Sequence, residues 1–163
     1  KVYVGTVRTV DMLCPLPFVD TTRIAVSGGS QGGALSIVHA ALDSRVKYVS
    51  AAYPALSEIA GYYNGRVGGW PRIYRNPNEV ALKEKAAVSE YYDVVNFGRR
   101  LHQPLLFFIG YNDQVCCPTS TYSVYNSVPT SDKELFLALD CAHWQYPEHK
   151  RLRHEWLLER MKE

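Results

Sequence analysis

Apolar residues along the chain recur in two alternating rhythms. Tyr3, Val7, Val10 and Cys14 are spaced by four, three and four positions, which marks one face of a helix. Pro15 and Pro17 end that helix, and Val19–Thr22 reads as a turn. Arg23–Ser27 follows as a short buried strand, Ala34–Leu42 as a buried helix, and Val46–Tyr53 as a second, β-branched strand closed by Pro54. Pro104–Gly110, PLLFFIG, is a continuous apolar run of strand length. Tyr122, Val124, Tyr125 and Val128 then fall on a helix with Pro118 near its first turn. Glu134–Leu139 is the next strand. Pro147 opens a final helix with Leu152, Trp156, Leu157 and Met161 as its apolar stripe.

Residues 57–101 break this regularity. Apolar, Gly and Tyr positions mix with charges there, and only Leu82–Val95 has helical character, so the segment reads as an excursion of short helices away from the sheet. The element order is helix, strand, helix, strand, excursion, strand, helix, strand, helix. Apolar strands alternating with helices predict an α/β fold with a parallel sheet flanked by helices. A length of 163 residues suits a single domain portion, 1–163.

Composition narrows the function classes. The formal net charge is +2 and the basic residues are scattered, apart from Lys150, Arg151 and Arg153 near the end. Nucleic acid is therefore not an expected partner, because phosphate binding needs clustered Lys and Arg. No window of about 20 apolar residues exists, so no membrane span is expected. Cys14, Cys116, Cys117 and Cys141 include no CxxC pair, which argues against a zinc site, and all four read as free thiols. The chain opens on Lys1 with no visible signal peptide, and is expected to be a piece of a longer protein. The compartment is left open between cytoplasmic and periplasmic or secreted.

The chemistry starts at Gly28-Gly29-Ser30-Gln31-Gly32, a G-x-S-x-G string with a strand before it and a helix after it. A sharp strand-to-helix turn forces close backbone approach, which glycines at 28 and 32 permit. It presents Ser30 at a helix N-terminus, where the Gln31 backbone N–H can stabilise an oxyanion. A phosphate loop is the competing reading, but the GxxxxGK[ST] lysine and GxGxxG spacing are both missing.

A serine hydroxyl needs a base and a carboxylate to become nucleophilic. In α/β-hydrolases the chain order is Ser, then acid, then His. Asp113 directly follows the PLLFFIG strand, and His143 follows the last strand in Asp140-Cys141-Ala142-His143. Asp140 is a rival acid at a strand end, three residues from His143. His39, His102, His149 and His154 lie within or beside helices and strands and fit the role less well. The expected triad is Ser30, Asp113 and His143, with no metal and no cofactor.

These strings resemble the acetyl xylan esterase / cephalosporin-C deacetylase family of carbohydrate esterases, on the α/β-hydrolase fold. The carrying segments are RIAVSGGSQGG at 23–33 with its Val19-Asp20 lead, GYNDQVCCPTSTYSVYN at 110–126, and Cys141-Ala142-His143. The resemblance implies that the chain is the C-terminal catalytic part of such a hydrolase, with Ser30, Asp113 and His143 as its triad and Gln31 as one oxyanion donor. The implied reaction removes O-acetyl groups from carbohydrates through an acetyl-enzyme. A prolyl-oligopeptidase-type peptidase shares the G-x-S-x-G-G elbow, although such peptidases often carry Tyr after the serine, and a degenerate binding module is a third reading. Family members often form homo-oligomers, but no seam fixes a number here. Two departures stand out: Trp144 takes the place of the family's usual Glu after the histidine, and the family's N-terminal strands, with the second oxyanion donor, are missing. The strand before Ser30 is accordingly expected at a sheet edge. Tyr62, Tyr63, Trp70 and Tyr74 either line a sugar site or pack on the core or a subunit interface.

Overall fold

Four apolar runs become four parallel strands: β1 (Ile24–Gly29), β2 (Val46–Ala52), β3 (Leu105–Gly110) and β4 (Lys133–Ala138). They lie side by side in chain order, β1-β2-β3-β4, so β1 has β2 as its neighbour and forms one edge. The computed structural model describes residues 1–74 and 82–162. The helices are α1 (Val2–Leu13), α2 (Gln31–Leu42), α3 (Leu82–Ser89), α4 (Val94–Gly98), α5 (Pro118–Ser127) and α6 (Pro147–Arg160). Both Pro118 and Pro147 sit in the first turn of their helices, where a missing N–H costs nothing.

Period-two alternation sorts the strand residues between two faces. Val49, Ala51, Leu105, Phe107 and Ile109 point to one side and meet Ile37 and Val38 of α2, Val94 of α4 and Val124 of α5. This is the main core. Ala52, Phe108, Phe136 and Ala138 point to the other side, where α6 packs across β2. The sheet is thus covered on both faces, with most of the helical mass on one.

Leu82–Val95 is not one helix but α3 and α4 separated by residues 90–93. Asp93 is the cause. Its carboxylate caps α4 by accepting from Val95 N at 2.9 Å, and reaches back to accept from Glu58 N at 2.9 Å and Ile59 N at 2.6 Å. One buried side chain therefore starts a helix and pins the far end of the excursion. Burial raises the Asp93 pKa above the usual carboxylate range, against the pull of its three N–H donors. Asp93→Ala orphans those donors together and is expected to cost about 3 kcal/mol in a urea unfolding titration. A loss below about 1 kcal/mol would show that water replaces the carboxylate.

Of the excursion's aromatics, Tyr74 is buried against Ile59 and Ala86, and Tyr62 packs on the same cluster. Tyr63 and Trp70 remain exposed. Residues 75–81 of the excursion lie outside the described residues. No helix among the described residues is long and apolar enough to cross a membrane.

Candidate active site

The end of β1 runs into Ser30, which adopts φ 56° and ψ −120° and stands immediately before α2. A positive φ is costly for a residue with a β-carbon, so surrounding bonds must hold it. They do so from β2, from the segment just after it and from α2 itself. Ser30 N–H donates to Ala52 O at 3.0 Å, and Ser30 C=O accepts from Ala34 N and Ala55 N, each at 3.0 Å. Gly28 makes the turn possible, because a β-carbon there would collide with the backbone of Gly32. Gln31 begins α2, so its N–H is among the first-turn donors that have no intrahelical acceptor.

Asp113 lies in the turn after β3 and is 2% exposed. Oδ1 accepts from Val115 N at 2.8 Å and Cys116 N at 2.9 Å, and Oδ2 lies 2.8 Å from His143 Nδ1. A carboxylate can only accept, so Nδ1 carries the proton and Nε2 is free to accept. Nε2 is 2.9 Å from Ser30 Oγ. The three side chains come from three loops at the same end of the sheet and form one continuous hydrogen-bonded line.

The acid loop and the histidine loop are stitched to each other. Tyr111 N donates to Ala138 O at 2.9 Å, Asn112 N to Cys141 O at 2.9 Å, and Asn112 Nδ2 to Leu139 O at 2.7 Å. Gly110 lies under this crossing, and a β-carbon on it would run into the Ala142 and Cys141 carbonyls. Gly110→Ala must displace the residues just before His143. Because a misplacement of about 1 Å can cost about 100-fold, that loss is expected in the rate at which a fluorophosphonate labels Ser30. An undiminished rate would show that the loop yields without moving the imidazole.

Asp140, the rival acid, is an exposed turn residue beside Tyr146. The nearest neighbour of the imidazole that sequence reading missed is Tyr53, whose ring centroid is 4.8 Å from that of His143. Its signal was faint: one aromatic at the end of an apolar strand. Cys116 was also missed as a site neighbour. Burial and the Asp113 carboxylate push its thiol up to about 12, partly offset by a hydrogen bond with Ser30, so it stays neutral and does not compete as a nucleophile. All four cysteines are free. A cleft of about 810 Å³ opens beside the acid loop, with Tyr111, Gln114, Cys117 and Tyr122 on one side and Val67 and Arg72 on the other. Arg72 donates to the Gln114 carbonyl and lies 3.5 Å from Cys117 Sγ, which ties the excursion to the acid loop.

The family model described as acetyl xylan esterase (AXE1) matches residues 1–160. The chain is 45% identical over 161 residues to acetyl esterase Axe7A of Xylanibacter ruminicola, a match covering 99% of this chain and 36% of that protein. The solved acetyl xylan esterase from Paenibacillus sp. R4 superposes with a TM-score of 0.87 at 29% identity, over 97% of this chain and 52% of that one. Acetyl xylan esterase 1 from a Thermoanaerobacterium species superposes with a TM-score of 0.85, also at 29% identity, over 96% and 51%. The chain thus spans about a third to a half of the length of these relatives. With the match running through nearly every residue, the chain belongs to the acetyl xylan esterase family and has its α/β-hydrolase fold.

Proposed function

We propose that this chain carries the catalytic triad of a serine carboxylesterase that removes O-acetyl groups from carbohydrates. The observation that carries the reading is the unbroken line from Ser30 Oγ through His143 to the buried Asp113 carboxylate. Ser30 Oγ attacks the acetyl carbonyl while His143 Nε2 takes its proton. The Asp113 carboxylate holds the ring and stabilises the imidazolium. Negative charge collects on the former carbonyl oxygen, which the Gln31 N–H and the N-terminus of α2 stabilise. Collapse of this intermediate expels the sugar hydroxyl, which leaves with the proton held on Nε2. Water then attacks the acetyl-serine with His143 again as base, releasing acetate and restoring Ser30.

The family membership supports acetyl esters as the substrate class, and the names of the two solved relatives support xylan as the carrier. The cleft beside the acid loop is large enough for a sugar residue. The test offers acetylated xylo-oligosaccharides, p-nitrophenyl acetate, and a proline-containing peptide. Acetate release without peptide cleavage is expected. Peptide cleavage, or a Ser30 that no fluorophosphonate labels, refutes the assignment.

A further inference from the structure

The inward-facing residues of α6 are Leu157 and, unexpectedly, Arg153, which is 7% exposed. Its guanidinium has five hydrogen-bond acceptors within reach, three of them sharing the two N–H groups of Nη2. Nε binds Ser50 Oγ at 2.9 Å, Nη1 binds Gln145 Oε1 at 2.9 Å, and Nη2 binds Ser27 Oγ at 3.1 Å, Gly28 O at 2.9 Å and Ser50 O at 2.7 Å. All five acceptors are neutral, so the charge is buried without a carboxylate in the cluster. A nonpolar side chain of similar size would fill the space without that desolvation.

What the guanidinium joins gives it a use. The strand order places Ser30 at the end of one edge strand, whereas His143 follows the opposite edge strand. At about 4.8 Å per strand, three spacings separate the two edges. β1 and β4 do not pair with each other, so no single ladder bond joins the serine's strand to the histidine's. Arg153 joins β1 and β2 directly to the loop that carries His143. Gly28 is two residues before Ser30 and Gln145 is two residues after His143, and both bind the same rigid planar fork. Gln145 bears the consequence: with Oε1 committed to Arg153, its buried Nε2 has no partner among the described residues.

We propose that Arg153 is a positioning residue, whose guanidinium sets the spacing between the strand that carries Ser30 and the loop that carries His143, acting on the loop through Gln145. This rests on the hydrolase reading above. It predicts a change in reaction rate rather than in ligand affinity, because the fork touches the backbone behind the site.

The test measures labelling of Ser30 by a fluorophosphonate. In that reaction Oγ bonds to phosphorus, fluoride leaves, and His143 takes the hydroxyl proton. The limiting rate and the half-saturating concentration are compared for the parent chain, Arg153→Lys and Gln145→Leu, at a temperature where circular dichroism shows each folded. The lysine variant keeps the charge but loses the fork, and its limiting rate is expected to fall about 100-fold. The glutamine variant removes no charge and is expected to lose about 10-fold. Half-saturation stays unchanged in both. A parental limiting rate in either folded variant, or a loss confined to half-saturation, overturns the inference. Should Arg153→Lys fail to fold, Gln145→Leu decides alone. An unlabelled parent chain sinks the hydrolase reading and this inference with it, whereas a labelled parent with indifferent variants sinks this inference alone.

Discussion

Ser30→Ala and His143→Ala each lower kcat for an acetyl ester by about a millionfold, and the double variant is no slower than either alone. The non-additivity follows from the geometry. Ser30 Oγ can lose its proton to Nε2, 2.9 Å away, and Nε2 has no other acidic hydrogen to collect at that point in the reaction. Removing either partner removes the same step. Whatever rate remains comes from substrate binding and the N-terminus of α2, which neither change touches. KM should move little, because neither group is asked to hold the ground state. Burst kinetics with p-nitrophenyl acetate check the assignment directly: the parent accumulates an acetyl-enzyme and Ser30→Ala shows no burst. Two single losses that multiply in the double variant would mean that the serine and the histidine act in separate steps, and the triad would fail as a unit.

Asp113→Asn is expected to lower kcat by about 10⁴-fold while leaving the fold intact. The Val115 and Cys116 N–H groups both point at Oδ1, so the new amide keeps its oxygen there and turns its NH₂ toward His143. An amide NH₂ donates, so Nδ1 must now accept and the ring proton moves to Nε2. That proton faces Ser30 Oγ, and the imidazole can no longer take the serine's hydrogen. The change is nearly isosteric and removes a charge buried to 98%, so the melting temperature should fall by only a few degrees or not at all. A proton spectrum separates this tautomer switch from simple disorder. The downfield Nδ1–H resonance of the parent should vanish from the variant. Activity within about tenfold of the parent would show that the carboxylate is not what sets the tautomer.

How far each of these parts could be read in advance depends on how local its cause is. The strand–Gly–Ser–Gly–helix order around Ser30 was legible because the turn is made by neighbours in sequence: Gly28 and Gly32 approach each other within one tight bend. Asp113 and His143 were legible by position, as polar residues directly after apolar strands in a chain order that parallel sheets impose. The excursion was read less well. A helical rhythm over Leu82–Val95 could not reveal that Asp93 leaves it to cap α4 and bind Glu58 and Ile59, because those partners are about 35 residues away. Tyr74, a candidate for a sugar-facing aromatic, proved to be core for the same reason.

Arg153 shows the limit best. The last helix was assigned an apolar stripe of Leu152, Trp156, Leu157 and Met161, with Arg153 read as part of a basic run. In the fold Leu157 is buried, Leu152 is exposed, and Arg153 shares the inward face with Leu157 one turn away. A charge at a core position of an amphipathic helix was the available signal. Its meaning depended on Ser27, Ser50 and Gln145, whose polar groups line that face of the sheet.

The linear chain by itself determined which segments are strands and helices, that the strands run parallel, and which residue types stand at their ends, because periodicity, proline placement and glycine turns act over a few neighbouring residues. Only tertiary structure decided that His143 pairs with Asp113 instead of Asp140, that Tyr53 lies against the imidazole, and that a buried guanidinium joins the edge strand before Ser30 to the loop that carries His143. Those outcomes depend on distances between segments as many as 126 residues apart, which are set by the register of β1 to β4 and the packing of α6 across them.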